Sequence, residues 1–184
     1  MVCLPKQTRF VLLAILVLTS CSAAAAQPND VQRQTAHAGH SLTELLDKRR
    51  VLLVVFRARV VDVSSNRERA IIEDVLKADP RPKGRFRWVY NLMAAKLNRY
   101  MDKYGSLTAA EGLSDAEYVI YFNVVEFRRI LDSVYPYGEL FVIVKGEPEQ
   151  LKPPRVVWRA NKIRYAGDVI GDLIKDLKVV RGES

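Results

Sequence analysis

Six consecutive apolar residues, Val51-Leu-Leu-Val-Val-Phe56, constrain the fold of this chain more than any other stretch. The run is rich in β-branched side chains, too short for a membrane span, and has no polar face to turn toward water. It therefore predicts a strand covered on both sides, the central strand of a sheet. Its continuation, Arg57-Ala-Arg-Val-Val-Asp-Val63, alternates in part, which predicts that the far end emerges to solvent on one face.

The remaining elements follow from periodicity and punctuation. Ser41-Leu-Thr-Glu44 has capping-box spacing ahead of Leu45 and Leu46, predicting a short helix that ends at Lys48-Arg49-Arg50. Ser65-Asn66 can cap a helix carrying Ala70, Ile71, Ile72, Val75 and Leu76, which Asp79-Pro-Arg-Pro-Lys-Gly84 ends. Phe86, Val89, Tyr90, Met93, Leu97, Tyr100, Met101 and Tyr104 recur at helical spacing, with Gly105 as the stop. Strands are expected over Glu117–Phe127, Glu139–Lys145 and Arg155–Ala160. The first two form an antiparallel hairpin through a loop containing Tyr135-Pro-Tyr-Gly138. Asp168 can cap a last helix with Val169, Ile170, Leu173, Ile174 and Leu177 inward. The expected class is α/β (α+β), a mostly antiparallel four-stranded sheet covered by amphipathic helices, in the order βααβββα after a short N-terminal helix.

The first 20 residues read as a bacterial signal peptide. Lys6 and Arg9 supply the positive region, and Phe10–Leu18 an apolar core well short of the ~20 residues that span a bilayer. Leu18-Thr-Ser-Cys21 resembles the bacterial lipobox, which would lipidate Cys21 and attach the chain to the membrane. By resemblance to proteobacterial lipoproteins, the absence of aspartate at Ser22 then implies an outer-membrane lipoprotein facing the periplasm of a diderm host. The rival reading cuts after Ala23-Ala-Ala-Ala26 and releases a soluble periplasmic or secreted chain near Gln27. Residues 21–40 read as a flexible tether with a reach of ~25 Å, and residues 41–184 as a single α/β domain. The chain's two cysteines are Cys3 and Cys21, so no pair remains for a disulfide and stability must come from packing. Removing Lys6 and Arg9 from 29 basic residues leaves 27 against 21 acidic ones, a moderately basic mature chain.

Little in the sequence points to catalysis. No GxGxxG or Walker spacing occurs, so no nucleotide cofactor is expected. The two histidines, His37 and His40, lie in the tether without a cysteine or carboxylate at ligand spacing, so no metal site and no histidine-based triad are expected. Asp115 with Glu117, or Glu126 with Glu139, could pair as carboxylates, but such spacing on strands usually marks a solvated face. Two stretches suggest binding instead. Arg81, Lys83, Arg85 and Arg87 interleave with Phe86 and Trp88, a pattern that grips anionic polymers through charge and ring faces. Export argues against nucleic acid and leaves anionic lipid or glycan; the competing reading is an exposed turn with Phe86 facing inward. Ile130-Leu-Asp-Ser-Val-Tyr-Pro-Tyr-Gly138 is apolar where a polar turn is expected. Either Val134, Tyr135 and Tyr137 contact a partner, or Val134 and Tyr135 fold back over the sheet edge.

The segment Leu113-Ser-Asp-Ala-Glu-Tyr-Val-Ile120 opening a strand, a hairpin, and Val156-Val-Trp-Arg159 ahead of a final helix together form a wider pattern. It resembles the envelope lipoprotein domains related to the N-terminal domain of TolB, the curli-secretion lipoprotein CsgG and the auxiliary lipoproteins of ABC transporters. The helices between Ser65 and Tyr104 and the Tyr135 loop are additions to that pattern. The resemblance implies a non-enzymatic envelope component that binds other proteins or assists transport, and it supplies no catalytic residues. The alternative is a soluble domain that binds anionic lipid or glycan through the basic stretch.

Overall fold

The computed structural model describes residues 42–58, 67–146, 152–160 and 162–184. Strand β1 (Arg50–Phe56) buries every side chain from Val51 to Val55. Leu52 and Val54 enter one core layer, and Val51, Leu53 and Val55 the other. The doubly apolar run thus lies inside a sheet with both faces covered. One neighbour of β1 is the two-residue β2 (Thr108–Ala109), and the other is β3 (Tyr118–Ile130); both pairings are parallel. β4 (Ser133–Val144) runs antiparallel to β3, and both β5 (Arg155–Arg159) and β6 (Arg164–Tyr165) pair antiparallel with β4. The order is β2-β1-β3-β4-β5, with β6 also on β4.

The sheet is mostly antiparallel, as expected, but among the described residues it has six strands instead of four, and its central pair is parallel. β2 and β6 are two residues each and carry no periodicity that could announce them. Direction is set by the crossover. Helices α1 (Arg67–Lys77) and α2 (Phe86–Tyr104) return the chain to the starting end of β1 before β3 begins, so the two strands must run the same way.

The helices divide between the two faces. α2 buries Val89, Met93, Leu97 and Tyr100, the stripe read from the sequence, and ends where Gly105 adopts φ 65° and donates its N–H to the Met101 carbonyl at 2.8 Å. α3 (Ala166–Arg181) buries Val169, Ile170, Leu173 and Leu177 beside it. Together they cover Leu53, Ile120, Phe122, Leu140 and Val142. On the opposite face α1 sets Ile71 and Val75 against Leu52, Val119, Tyr121 and Ile143. Each such buried aliphatic or aromatic side chain contributes roughly 1.5–3 kcal/mol.

Three local expectations are corrected. Asp168 lies inside the first turn of α3 and does not cap it. β6 runs straight into the helix, so the ladder fixes Tyr165 in extended backbone as the N-cap, with no side-chain bond. The N-terminal helix is a 3₁₀ turn, Leu42–Leu45, whose three-residue spacing buries both leucines. The segment Tyr135–Gly138 is strand, and the hairpin turns at Leu131-Asp132. Pro136 is tolerated because β6 pairs only Tyr137 and Gly138, leaving β4 an edge strand from Pro136 outward among the described residues. Gly138 serves close approach: a Cβ there would sit 2.1 Å from the Asn123 carbonyl oxygen. Of the expected continuation Arg57–Val63, Arg57 and Ala58 lie beyond the end of β1 and are not strand; the rest of it and the caps Ser41, Ser65 and Asn66 lie outside the described residues.

Beyond Asn123, where β1 ends, the β3–β4 ladder shifts register between Val124 and Glu126 and continues as an arm to Ile130 and Ser133. Polar contacts brace its base. Arg57 donates to the carbonyls of Val124 (3.1 Å) and Val125 (2.6 Å). The buried Asn123 accepts from the Ala58 N–H at 3.0 Å and donates to Glu139 at 3.3 Å, and Glu139 also pairs with Arg67 at the start of α1.

Candidate functional site

The arm and the start of α2 form one end of the molecule. Phe127, on the arm, approaches Phe86, the first residue of α2, with ring centroids 6.4 Å apart. The Arg85 guanidinium lies over Phe127 at 4.8 Å and Phe86 at 5.9 Å. Arg85, Trp88, Phe127 and Val134 line a shallow open cleft of about 410 Å³. Trp88 and Val134 in the cleft are 46% and 47% exposed; Leu131 at the tip is 90% exposed, and Ile130, one residue out of phase with Arg129 and Val134, is 48% exposed on the other face of the arm. Leu131 also has φ 54°, the left-handed region that glycine and asparagine occupy most easily.

All four residues of the basic stretch are exposed here, but they are not equivalent. Lys83 pairs with Asp79 at 3.0 Å. The Asp79 carboxyl is held below its ordinary value by the Arg81 backbone N–H and by Lys83. Arg85 is committed to the aromatic pair. Arg81 and Arg87, with Arg129 on the arm, make no ion pair with a described residue. Arg128 pairs with Glu126 and stacks over Tyr137 at 4.3 Å.

The three residues singled out for partner contact divide between two places. Val134 belongs to the cleft beside α2. Tyr135 and Tyr137 are half-buried around Tyr165 of β6, with ring centroids 5.5 and 6.3 Å away. Burial raises the Tyr165 hydroxyl pKa. Of the two readings left open, packing over the sheet edge describes Tyr135, whereas Val134 remains exposed. Trp88 and Leu131 fall within the two stretches that suggest binding, whereas nothing in the sequence around Phe127 marks it as a surface residue. Their common location depends on the register shift and on Arg85, neither of which periodicity reveals.

The carboxylates considered for catalysis are tied into the fold. Asp115 pairs with Arg50 at 2.7 Å. Glu117 accepts the N–H groups of Arg49 and Arg50, both at 2.7 Å. Burial works to raise the Glu117 pKa, but these backbone bonds and the neighbouring Arg50 charge outweigh it and hold the group low. A second cleft, about 290 Å³, lies between the end of β5 and α3. There Trp158 donates its indole N–H to Asp176 at 2.9 Å, and burial raises the Asp176 pKa against that bond. Arg164 pairs with Asp172, and Arg159 with Glu68, so the charges around this cleft are largely neutralised within the protein.

Among the described residues no group of three His, Cys, Asp or Glu is arranged to hold a metal ion, and no helix is long and apolar enough to cross a membrane. Cys21, His37 and His40 lie outside the described residues. Comparison with family models, curated proteins and solved structures finds no match to this chain.

Proposed function

We propose that the chain is a non-enzymatic docking domain of the bacterial envelope, attached to the membrane by lipid at Cys21, and that its working surface is the arm with the start of α2. The observation that carries this reading is the collection of Trp88, Ile130, Leu131 and Val134 at one end of the molecule, exposed, with Arg85 lining the cleft and the exposed Arg87 and Arg129 next to Trp88 and Ile130 in the chain. An apolar cluster with a charged rim marks a contact surface more than it marks a scattered residue left over from folding. The lipobox, the tether and the resemblance to envelope lipoproteins support the location and the adaptor role. The basic stretch alone supports the second reading less well, because Lys83 is paired and Arg85 stacks on Phe127.

Two measurements test the proposal. Intact mass of the protein from bacterial membranes, against a Cys21→Ala control, should show acyl chains on a mature N-terminal cysteine. A photo-crosslinking residue at position 88 or 131 should capture a protein or lipid in cells. The same residue at position 179, where Val179 is 64% exposed on α3, should not. Equal labelling at all three positions would overturn the assignment of the surface.

A further inference from the structure

Resting on that docking reading, we infer that the arm end binds the anionic surface of a lipid bilayer, with Ile130 and Leu131 as a shallowly inserted tip and Arg81, Arg87 and Arg129 as headgroup contacts. The first support is shape. The most exposed apolar side chain projects from a two-residue turn, a convex form suited to a fluid apolar layer and ill suited to filling a recess of its own. The second is the backbone. β3 and β4 stay paired up to Ile130 opposite Ser133, which satisfies the inner edges, and the open outer edges of the arm stay in the headgroup layer, where water pairs them.

Charge supplies the complementarity. Between Asp79 and Trp88 there are four basic residues and one acidic one, and that acid is already paired with Lys83. Arginines beside an anionic leaflet gain Coulomb attraction, and a half-exposed indole such as Trp88 suits the headgroup layer. Asp132 sets the depth. Its carboxylate, next to the tip leucine, stays with the headgroups and keeps insertion shallow.

Leu131 distinguishes this inference from a generic sticky surface. A leucine at φ 54° costs the folded chain backbone energy, and at 90% exposure its side chain recovers none of that cost by burial in water. Glycine would avoid the cost. The leucine is explained when its side chain enters an apolar phase.

The test uses the mature chain carrying Cys21→Ala, so that no acyl group contributes, mixed with phosphatidylcholine vesicles with and without phosphatidylglycerol. Sedimentation should show binding about tenfold stronger to the anionic vesicles at low salt, falling as salt is raised. Trp88 emission should be quenched by brominated lipid, while Trp158, 8% exposed, serves as the constant background. Leu131→Gly should fold normally and bind about tenfold more weakly, the scale of losing one leucine side chain from an apolar phase. The double variant Arg81→Gln with Arg87→Gln should lose the preference for anionic lipid while keeping residual binding. Equal binding to neutral and anionic vesicles, wild-type binding by a folded Leu131→Gly, or no vesicle binding at all would overturn the inference. If position 131 then crosslinked a protein in cells, the docking reading would stand and the bilayer would be excluded as its target.

Discussion

Leu131 and Glu117 show how single residues carry opposite demands. With its backbone in the left-handed region, Leu131 folds against a steric penalty of about 1–2 kcal/mol that glycine avoids at a smaller entropic loss. Leu131→Gly should therefore raise unfolding stability by roughly 0.5–1 kcal/mol, read as a higher urea midpoint with an unchanged slope. Glu117 does the reverse and supports the fold by capping the start of β1. Its folded pKa is lowered, so the unfolded chain binds more protons in the window just below the ordinary value of 4.5. The stability it contributes is present above that value and is lost as the pH falls through the folded one. Glu117→Gln should be less stable at neutral pH and should show a flatter decline between about pH 5 and pH 3 in urea titrations. Asp176 has the opposite sign, because burial raises its pKa and its ionised form opposes folding. Asp176→Asn, which keeps an acceptor for the Trp158 indole, should gain stability as the pH rises above the acid range, measured against wild type.

Elements were legible in proportion to the length and regularity of their apolar pattern. The stripe from Phe86 to Tyr104 matches α2 from its first residue to its last, and the unbroken run at Val51 correctly implied a strand with two covered faces. Strands of two residues carry no period, and β2 and β6 exist only because longer neighbours offer them an edge. The outer part of β4 was hidden for another reason. Tyr135-Pro-Tyr-Gly138 has turn composition, but tertiary contacts use its proline at an open edge and its glycine against the Asn123 carbonyl. The arm was therefore unreadable, and with it the meeting of Phe127, Val134 and Trp88, although each side chain was apolar in plain sight. Two glycines of this molecule contrast sharply. Gly138→Ala should destabilise the protein by about 3 kcal/mol or more, because its Cβ meets backbone that cannot yield. Gly112→Ala, with nothing within 4 Å, should leave the thermal midpoint almost unchanged.

Across the whole molecule, Arg181 ties together segments far apart in sequence. Its guanidinium donates to the carbonyls of Leu45 (2.6 Å) and Lys48 (2.7 Å), and more weakly to Ser106 (3.4 Å). Nearby, the Tyr100 hydroxyl, pushed up to about 12 by burial and by Glu183, donates to Glu183 at 2.5 Å. Arg181→Ala should lower stability by about 2 kcal/mol in urea denaturation, since part-buried carbonyls in two connecting segments lose a charged donor. The same long reach sets the order of assembly. β3 and β4 are joined by two residues and can zip locally, whereas β1 must wait for a partner that begins at Tyr118, more than sixty residues later. The first strand of the chain thus waits longest, in sequence, for its main partner. Until Tyr118 arrives, Val51–Phe56 is a bare, adhesive β-segment, so a fragment ending before β3 should aggregate instead of folding, and a chain crossing a membrane N-terminus first would require a holding chaperone on that segment.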